Sequence, residues 1–413
     1  MKLVKLGFRN LLRYKRRTII TAFAVAMGLM MFILMDSLLM GVSEDSIINI
    51  MRYESGSGRI VTPAYWEDRE SRPLKETLPP ELGQKLTDEG VSWTPRIELT
   101  GELIFRGAPW EESGYLAVEV VALDPERDGD VYDLNRVVSE GHFLTPDEEG
   151  VLLGRWLAED MGAQVGYPVS LRVKTRFGSE ELLELEVAGI LDCPDPYVNT
   201  GVVFIDLTVA DDYLEMDGLY TQAVVSLGPN PQPPRGSVEK LHHLLAGTGA
   251  EFHSWEEWAA DFMAIAAGKQ NSAYAILSLV VLIAAIGISN TVLMSLFERT
   301  RELGMLRALG MTDGDLRKTF LIEAVGIGLL GGIVGIIWGA GANLILVKIG
   351  INYGNLLKDM KIGYRVSGMM YGVWILRDYL ISLVAGVAIC GTISLLVTRK
   401  LTGMKITDCL RYT

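Results

Sequence analysis

The chain has 413 residues, a formal net charge of −13 and hydrophobic residues at 49% of its positions. This hydrophobic share is high for a soluble protein and low for a chain that lies wholly within a membrane. It predicts several membrane spans combined with one folded aqueous domain. The three cysteines fall in different regions and the four histidines form no ligand-spaced motif, which argues against a disulfide framework or a zinc site.

Four apolar stretches are long enough to cross about 30 Å of hydrocarbon as helices. They are Ile19–Leu39, Ala275–Phe297, Ala324–Val347 and Leu380–Val397. The last three contain no Asp, Glu, Lys or Arg, and the first is interrupted only by Asp36. Because the first run is longer than a signal-peptide core and no A-x-A-like cleavage site follows it, we interpret it as an uncleaved anchor.

The distribution of Lys and Arg predicts the orientation of these helices. Residues 1–17, 298–319 and 398–413 together hold 16 basic and five acidic residues, whereas 43–270 hold 17 basic and 42 acidic residues. Since cytoplasmic loops are enriched in basic residues, we expect both termini and 298–319 in the cytoplasm, and 43–270 and 348–376 outside it. The acidic outer segment would repel phosphates, which argues against a nucleic-acid partner.

The outer segment has the pattern of a β-rich domain, with short apolar runs between Gly, Pro and Asp clusters. Strands are predicted at 59–62, 102–105, 115–122, 169–175, 182–190, 202–205 and 223–227, and Gly150–Met161 is predicted as a strand that enters a short helix. Helices that act as stalks are predicted on both sides of the domain. The first covers Gly41–Tyr53, and the second begins at a capping box formed by Ser254 and Glu257.

The third predicted span is rich in glycine. Gly331, Gly335 and Gly339 recur every four residues, and Gly328 and Gly332 form a second pair of this spacing. Association of helices in lipid relies on close approach of their backbones, which glycine permits, so we expect these five residues to contact a neighbouring helix. In the first span, Asp36 lies about 27 Å along the helix from Thr18, which favours a position at the outer interface over a buried functional acid.

The segment 298–320 (ERTRELGMLRALGMTDGDLRKTF) predicts an amphipathic helix in a short cytoplasmic loop. Its apolar stripe is formed by Leu303, Met305, Leu306 and Leu309. Gly310 is predicted to end this helix, and Thr312 or Asp313 to cap the next one. The apolar stripe must be buried against another surface. The residues alone leave two alternatives for that surface, the lipid bilayer or a protein partner.

At this segment the chain resembles the FtsX-like permease domain of the MacB and LolC/LolE class of ABC transporters. The matching run extends from Asn290 to Gly339, and RNLLRYKRRTIIT before the first span and ITDCLRYT at the end of the sequence are similar to the family's corresponding segments. The stretches VALDPE, EGHFL, GVLLGRWLAEDMGAQVGYPVSL and EVAGILD resemble the family's periplasmic core domain.

The resemblance implies a permease that dimerises, with a second copy or a paralogue, and binds an ABC ATPase at its cytoplasmic face. No G-x-x-x-x-G-K-[ST] run is present, so ATP and Mg are expected on a separate ATPase chain and no cofactor on this one. The resemblance implies mechanotransmission, in which the ATPase moves the stalks through a coupling helix. The coupling residues it implies are Arg299, Arg301, Glu302, Leu303, Gly304, Met305, Leu306, Arg307, Ala308, Leu309, Gly310 and Met311.

Three functions are compatible with the sequence and with this resemblance. The four-span layout and the lack of an ATPase motif favour ATP-driven release of lipoproteins from the inner membrane, as in LolC and LolE. The alternatives are MacB-like export of peptides, toxins or macrolides, with a periplasmic carrier or adaptor, and FtsX-like regulation of a cell-wall hydrolase without transport. An enzyme is not expected, because no nucleophile–base arrangement is present.

The predicted fold is a membrane α-helical protein of the bacterial inner membrane. It has four transmembrane helices and a large extracytoplasmic α+β domain inserted between helices 1 and 2. The predicted boundaries are 1–53 for the N-terminus, first helix and stalk, 54–253 for the MacB-like periplasmic core domain, and 254–413 for the second stalk and the FtsX-like permease domain.

Overall fold

The computed structural model describes Arg13, 15–111, 113–228, 231, 233–260, 307–352 and 369–402, together with single or paired positions between 263 and 305. The described residues form two compact units. The membrane unit is built from residues within 1–43, 266–352 and 369–413, and the large domain from residues within 44–265.

The short helices and strands of the large domain stand between one long apolar helix at the start and two at the end. In chain order they are α1 (Lys15–Asn49), β1 (Gly58–Val61), α2 (Pro63–Glu67), α3 (Glu81–Asp88), β2 (Ser92–Phe105), β3 (Gly114–Leu123), β4 (Val138–Gly141), β5 (Gly150–Gly154), α4 (Arg155–Met161), β6 (Pro168–Lys174), β7 (Glu180–Leu191), α5 (Pro196–Gly201), β8 (Val202–Asp206), α6 (Leu207–Leu214), β9 (Gln222–Ser226), α7 (Arg235–Leu245), β10 (Glu251–Ser254), α8 (Trp255–Trp258), α9 (Asp313–Ile349), β11 (Ile351–Asn352), β12 (Met369–Met370) and α10 (Leu376–Thr402). A π-helical segment, Ile50–Ser55, continues α1.

Within the described residues, ten strands of the large domain form one mixed sheet. Its order is β10–β1–β9–β2–β3–β8–β5–β7–β4, and β6 pairs with both β2 and β7. The neighbours are antiparallel except for the pairs β3–β8 and β5–β7. Pairing of β1 with β10, in which Gly58 faces Ser254, places the first and last strands of the domain side by side.

Alternating side chains explain how the sheet acquires a core. Along β6, Val169, Leu171 and Val173 are buried whereas Arg172 is exposed, because successive strand residues point to opposite faces. The largest apolar core packs on this inward face. A second core, centred on Leu152 and other apolar residues, lies on the opposite face.

Three described helices are long and apolar enough to cross a membrane. These segments are Thr18–Ser55, Asp313–Ile349 and Leu376–Arg399. The predicted span Ala275–Phe297 is described only at scattered positions, so most of it lies outside the described residues. Four transmembrane helices therefore stay a prediction. The large domain contains one mixed sheet with helices distributed between its strands, which refines the expected α+β domain to an α/β domain.

Candidate functional site

The described part of the predicted coupling segment forms the end of a helix. Met305, Arg307 and Ala308 are helical, and the main-chain N–H of Leu309 donates to the carbonyl oxygen of Met305 at 3.0 Å. Gly310 follows with φ at +97°, a conformation that favours glycine and stops the helix. The other predicted coupling residues, Arg299, Arg301, Glu302, Leu303, Gly304 and Leu306, lie outside the described residues.

Two large apolar side chains of this segment are exposed. Leu309 is 85% exposed and Met305 is 49% exposed, whereas Met311, two residues after Leu309, packs against an apolar cluster around Phe320. The segment therefore presents apolar side chains on one side while its last residue anchors it to α9.

A capped helix start holds this segment in place. Thr312 is the N-cap of α9, and its hydroxyl oxygen accepts a hydrogen bond from the main-chain N–H of Asp315 at 3.2 Å. Arg307 forms an ion pair of 3.0 Å with Asp313 in the first turn of the same helix. The cap and the ion pair fix the end of the predicted coupling segment to the start of α9.

Three of the predicted packing glycines lie against α1. A Cβ atom on Gly331 would stand 2.8 Å from the Cβ atom of Val25, and on Gly335 it would stand 3.0 Å from a main-chain atom of α1. On Gly339 the corresponding distance to a side chain of α1 is 2.9 Å. Contact at these distances leaves no space for a side chain, so α9 approaches α1 as closely as its backbone allows.

The other two predicted packing glycines lie against α10. A Cβ atom on Gly328 would stand 2.7 Å from the carbonyl oxygen of Gly386, and on Gly332 it would stand 2.9 Å from the side chain of Leu383. Since the glycines spaced by four residues on α9 fall on two faces, this one helix packs closely against two neighbours.

A buried polar cluster links the same three helices. The hydroxyl of Ser37 on α1 donates to the side-chain oxygen of Asn343 on α9 at 2.6 Å, and the amide of Asn343 donates to the carbonyl oxygen of Val373 before α10 at 3.1 Å. Next to them, the carboxyl groups of Asp36 and Asp378 lie within hydrogen-bonding reach, and they are only 1% and 3% exposed. The structure therefore buries Asp36 among protein groups, and its position at the outer membrane interface stays a prediction.

A second buried polar cluster lies in the large domain, where the chain enters and leaves the sheet. Arg59 on β1 donates to the side-chain oxygens of Glu98 at 2.6 Å and Gln222 at 2.5 Å, and to the carbonyl oxygen of Glu54 at 2.7 Å. The indole of Trp258 lies 3.9 Å from its guanidinium carbon. Burial alone would lower the pKa of Arg59, but the charges of Glu98, Tyr132 and Tyr65 and the hydrogen bond to Glu98 together outweigh this effect and raise it.

The edge of this cluster contains a group that titrates near neutral pH. The carboxylate of Glu119 contacts the guanidinium of Arg72 and accepts a hydrogen bond from the hydroxyl of Tyr197. Burial and then the charge of Glu98 raise the pKa of Glu119 to about 7. Burial also raises the pKa of Asp195 to about 6. Among the residues that the structure describes, no group of three or more His, Cys, Asp or Glu could hold a metal ion.

Sequence reasoning missed this second cluster. Arg59 and Glu98 are 39 residues apart, and Arg59 and Gln222 are 163 residues apart, so no local spacing links them. Only the pairing of distant strands brings these residues together.

Two family models match the chain. The MacB-like periplasmic core domain matches residues 18–234, which is more than half of the chain. The chain belongs to the MacB-like family of ABC transporter permeases. The second model, the C-terminal domain of FtsX-like permeases, matches residues 274–406 of this permease. Both matches confirm the resemblance inferred from the sequence.

Relatives cover the permease to different extents. The macrolide export ATP-binding/permease protein MacB of Chlorobaculum tepidum is 38% identical over 92 residues, which are 21% of this chain and 14% of that protein. An uncharacterised ABC transporter permease of Methanocaldococcus jannaschii is 23% identical over 402 residues, which are 93% of each chain. The permease thus spans only 14% of the length of the MacB protein that it matches.

Two solved transporter domains also match about half of the chain. The periplasmic region of MacB from Actinobacillus actinomycetemcomitans is 12% identical, with a TM-score of 0.35, and the match covers 50% of this chain and 92% of that one. The extracellular domain of the transporter YknZ from Gram-positive bacteria is 10% identical, with a TM-score of 0.33, and the match covers 48% of this chain and 98% of that one.

Proposed function

We propose that this permease is the transmembrane subunit of an ABC transporter and works by mechanotransmission. The observation that carries the proposal is the pair of exposed apolar side chains, Met305 and Leu309, beside a capped membrane helix. An apolar pair of this kind on a short, anchored helix fits docking into a groove of a partner. We take the partner to be an ABC ATPase pair that binds ATP and Mg, and residues 299–311 to be its coupling helix.

Helix packing in the membrane unit supports this mechanism over a water-filled path. The glycine faces of α9 bring the backbones of three helices into contact, and the Ser37–Asn343 cluster ties them together by hydrogen bonds. Helices packed in this way move as a body more readily than they separate. We place the protein in the inner membrane as a dimer of identical or paralogous permeases. Both termini lie in the cytoplasm and the large domain in the periplasm.

For the substrate, we propose export of an amphipathic compound from the periplasm, through an adaptor or carrier protein. Its support is that relatives in the same family are named as exporters of macrolides, of pyoverdine and of syringafactin. The second candidate is release of lipoproteins, supported by the resemblance of segment 290–339 to the MacB and LolC/LolE class. Identification of molecules that co-purify with the full permease–ATPase complex, and that ATP releases, distinguishes the two candidates. Acylated proteins would support lipoprotein release and contradict export.

The coupling role is tested by Met305→Glu combined with Leu309→Glu. The added charges should prevent docking in an apolar groove, so we expect at least a tenfold loss of ATPase co-purification while insertion into the membrane is unchanged. Phe177→Glu combined with Leu182→Glu is the matched control, because it adds the same charge at exposed apolar positions of the large domain. Undiminished ATPase association of the first variant would contradict the assignment.

A further inference from the structure

Arg59 occupies the central position of the buried cluster in the large domain. It lies on β1, between β10 and β9, and its side chain is only 2% exposed. One nitrogen, Nη1, donates to both Glu98 on β2 and Gln222 on β9. The guanidinium thus joins the first strand of the domain to two strands further into the sheet.

The same guanidinium also contacts both connecting segments of the domain. We define the first stalk segment as residues 44–55 and the second as residues 255–260. Nη2 of Arg59 donates to the carbonyl oxygen of Glu54, at the end of the first stalk segment, at 2.7 Å. The ring of Trp258 in the second stalk segment covers the guanidinium at 3.9 Å, a distance at which cation–π attraction is favourable.

The two stalk segments also pack directly on each other. Ile50 and Met51 of the first form one apolar cluster with Trp255 and Ala259 of the second. These contacts join the segments to one another, but they do not include a residue of β2 or β9. The contacts of Arg59 extend from this pair of segments to the inner strands.

Arginine suits this position for a physical reason. Its planar guanidinium carries several donors in fixed directions and presents a flat face for stacking, whereas the ammonium of lysine is a point charge. A carbonyl, an amide oxygen, a carboxylate and an indole can therefore be engaged at once. Displacement of one partner changes the positions available to the others.

We propose that Arg59 is a positioning residue that couples the movement of both stalk segments to strands β2 and β9. Displacement of Trp258 moves the guanidinium, and the guanidinium carries Glu98 and Gln222 with it. The consequence for transport rests on the proposed function, since the stalk segments would be moved by the ATPase. The coupling itself is a property of the large domain and is tested without ATP.

Amide hydrogen exchange of the full-length protein in detergent measures this coupling. Trp258→Ala should raise exchange in residues 98–103 of β2 by about tenfold, because it releases one side of the guanidinium. In an Arg59→Lys background, the same substitution should change exchange there by less than about twofold, since lysine does not link the two sites. No increase in the first case, or an equal increase in the second, would overturn the proposal.

A matched control separates coupling from loss of a buried ion pair. Arg96 and Asp128 form another buried pair at 2.6 Å, and Arg96 stacks on Tyr132 at 3.6 Å, but neither member of the pair contacts Trp258 by these interactions. In an Arg96→Met, Asp128→Asn background, the effect of Trp258→Ala on β2 should persist at about tenfold. Its disappearance in this background would show a general loss of order and would overturn the assignment to Arg59.

A second readout uses the complex with the ATPase that co-purifies. In Arg59→Lys, ATP turnover should stay within about twofold of the wild type, while the change in exchange of residues 98–103 on addition of ATP is lost. A purely structural role would leave that ATP-dependent change in place, and this result would overturn the proposal. Failure to recover any ATPase would contradict the proposed function, and the experiment in detergent would still decide the role of Arg59.

Discussion

Gly328 on α9 and Gly386 on α10 face each other with no side chain between them. A Cβ atom on Gly328 would stand 2.7 Å from the carbonyl oxygen of Gly386, and one on Gly386 would stand 3.4 Å from the carbonyl oxygen of Gly328. This reciprocal contact shows that the two helices meet through their backbones.

Gly328→Leu should therefore disrupt the membrane unit. The added side chain has no space, and we expect it to lower the unfolding free energy by about 1–3 kcal/mol. Gly341→Leu is the control, because Gly341 lies on the same helix and no atom stands within 4 Å of a Cβ atom built on it. Thermal unfolding of both variants in detergent gives the comparison, and equal melting temperatures would contradict the observed packing.

Glu119 is expected to make the stability of the large domain depend on pH. Burial and the charge of Glu98 raise its pKa to about 7 in the folded state, well above that of a glutamate in an unfolded chain. The folded state thus binds the proton of the Glu119 carboxyl group more tightly than the unfolded chain does. The resulting stabilisation is complete below the unfolded pKa of about 4.3 and is lost as the pH rises through about 7.

Glu119→Gln removes this proton uptake. We expect the wild type to lose about 2–3 kcal/mol of stability relative to the variant between about pH 5 and about pH 8, measured by unfolding of the full chain in detergent. Measurement below about pH 4 is the internal control, since both side chains are then uncharged. Parallel pH profiles of the two proteins would contradict the raised pKa.

Arg96 and Asp128 are each 1% exposed in a 2.6 Å ion pair, so removal of one partner should be costly. Arg96→Met leaves the carboxyl group of Asp128 buried without its cation, and we expect a loss of about 3–5 kcal/mol. The double variant with Asp128→Asn should recover most of this loss, because it removes both charges. A double variant as unstable as the single one in denaturant unfolding would contradict this explanation.

Asp36→Asn is expected to stabilise the membrane unit. Within the part of the chain that the structure describes, Oδ1 of Asp36 is buried without a hydrogen-bond partner, and the other carboxyl group nearby is that of Asp378. An asparagine amide can donate to Asp378 without burying a second carboxylate, which should add about 1 kcal/mol. The exposed Glu256→Gln is the control, and a lower melting temperature for Asp36→Asn alone would contradict the prediction.

The strands that the sequence predicts well are those with one buried and one exposed face. The alternation in β6 and β7 is visible as a period of two, and their bounds in the structure lie close to the predicted ones. The first ten residues of β2 were missed, because their buried side chains include Thr94, Arg96 and Glu98. In the sequence, charged and polar residues predict an exposed turn. An ion pair between distant strands that buries such residues cannot be recognised there.

The candidate site also contains one part that the sequence predicts and one part that it does not. The apolar stripe around Leu309 and the glycines of α9 are periodic within one helix, so sequence reasoning could find them. The junction at Arg59 depends on two strands and two connecting segments that are distant in the sequence. Its only local signal is a charged residue at the start of a predicted strand, and that signal is common at surfaces.

Pairing of β1 with β10 also has a consequence for the evolution of the large domain, because it holds the two ends of the domain next to each other. Gly58 and Ser254 face each other on neighbouring strands at the entrance and the exit of nearly two hundred residues of chain. An insertion whose two ends lie side by side costs little loop-closure entropy, and this cost grows only slowly with its length. Segments between the two strands can therefore be lengthened, shortened or replaced in evolution while the spacing of the two attachment points stays constant.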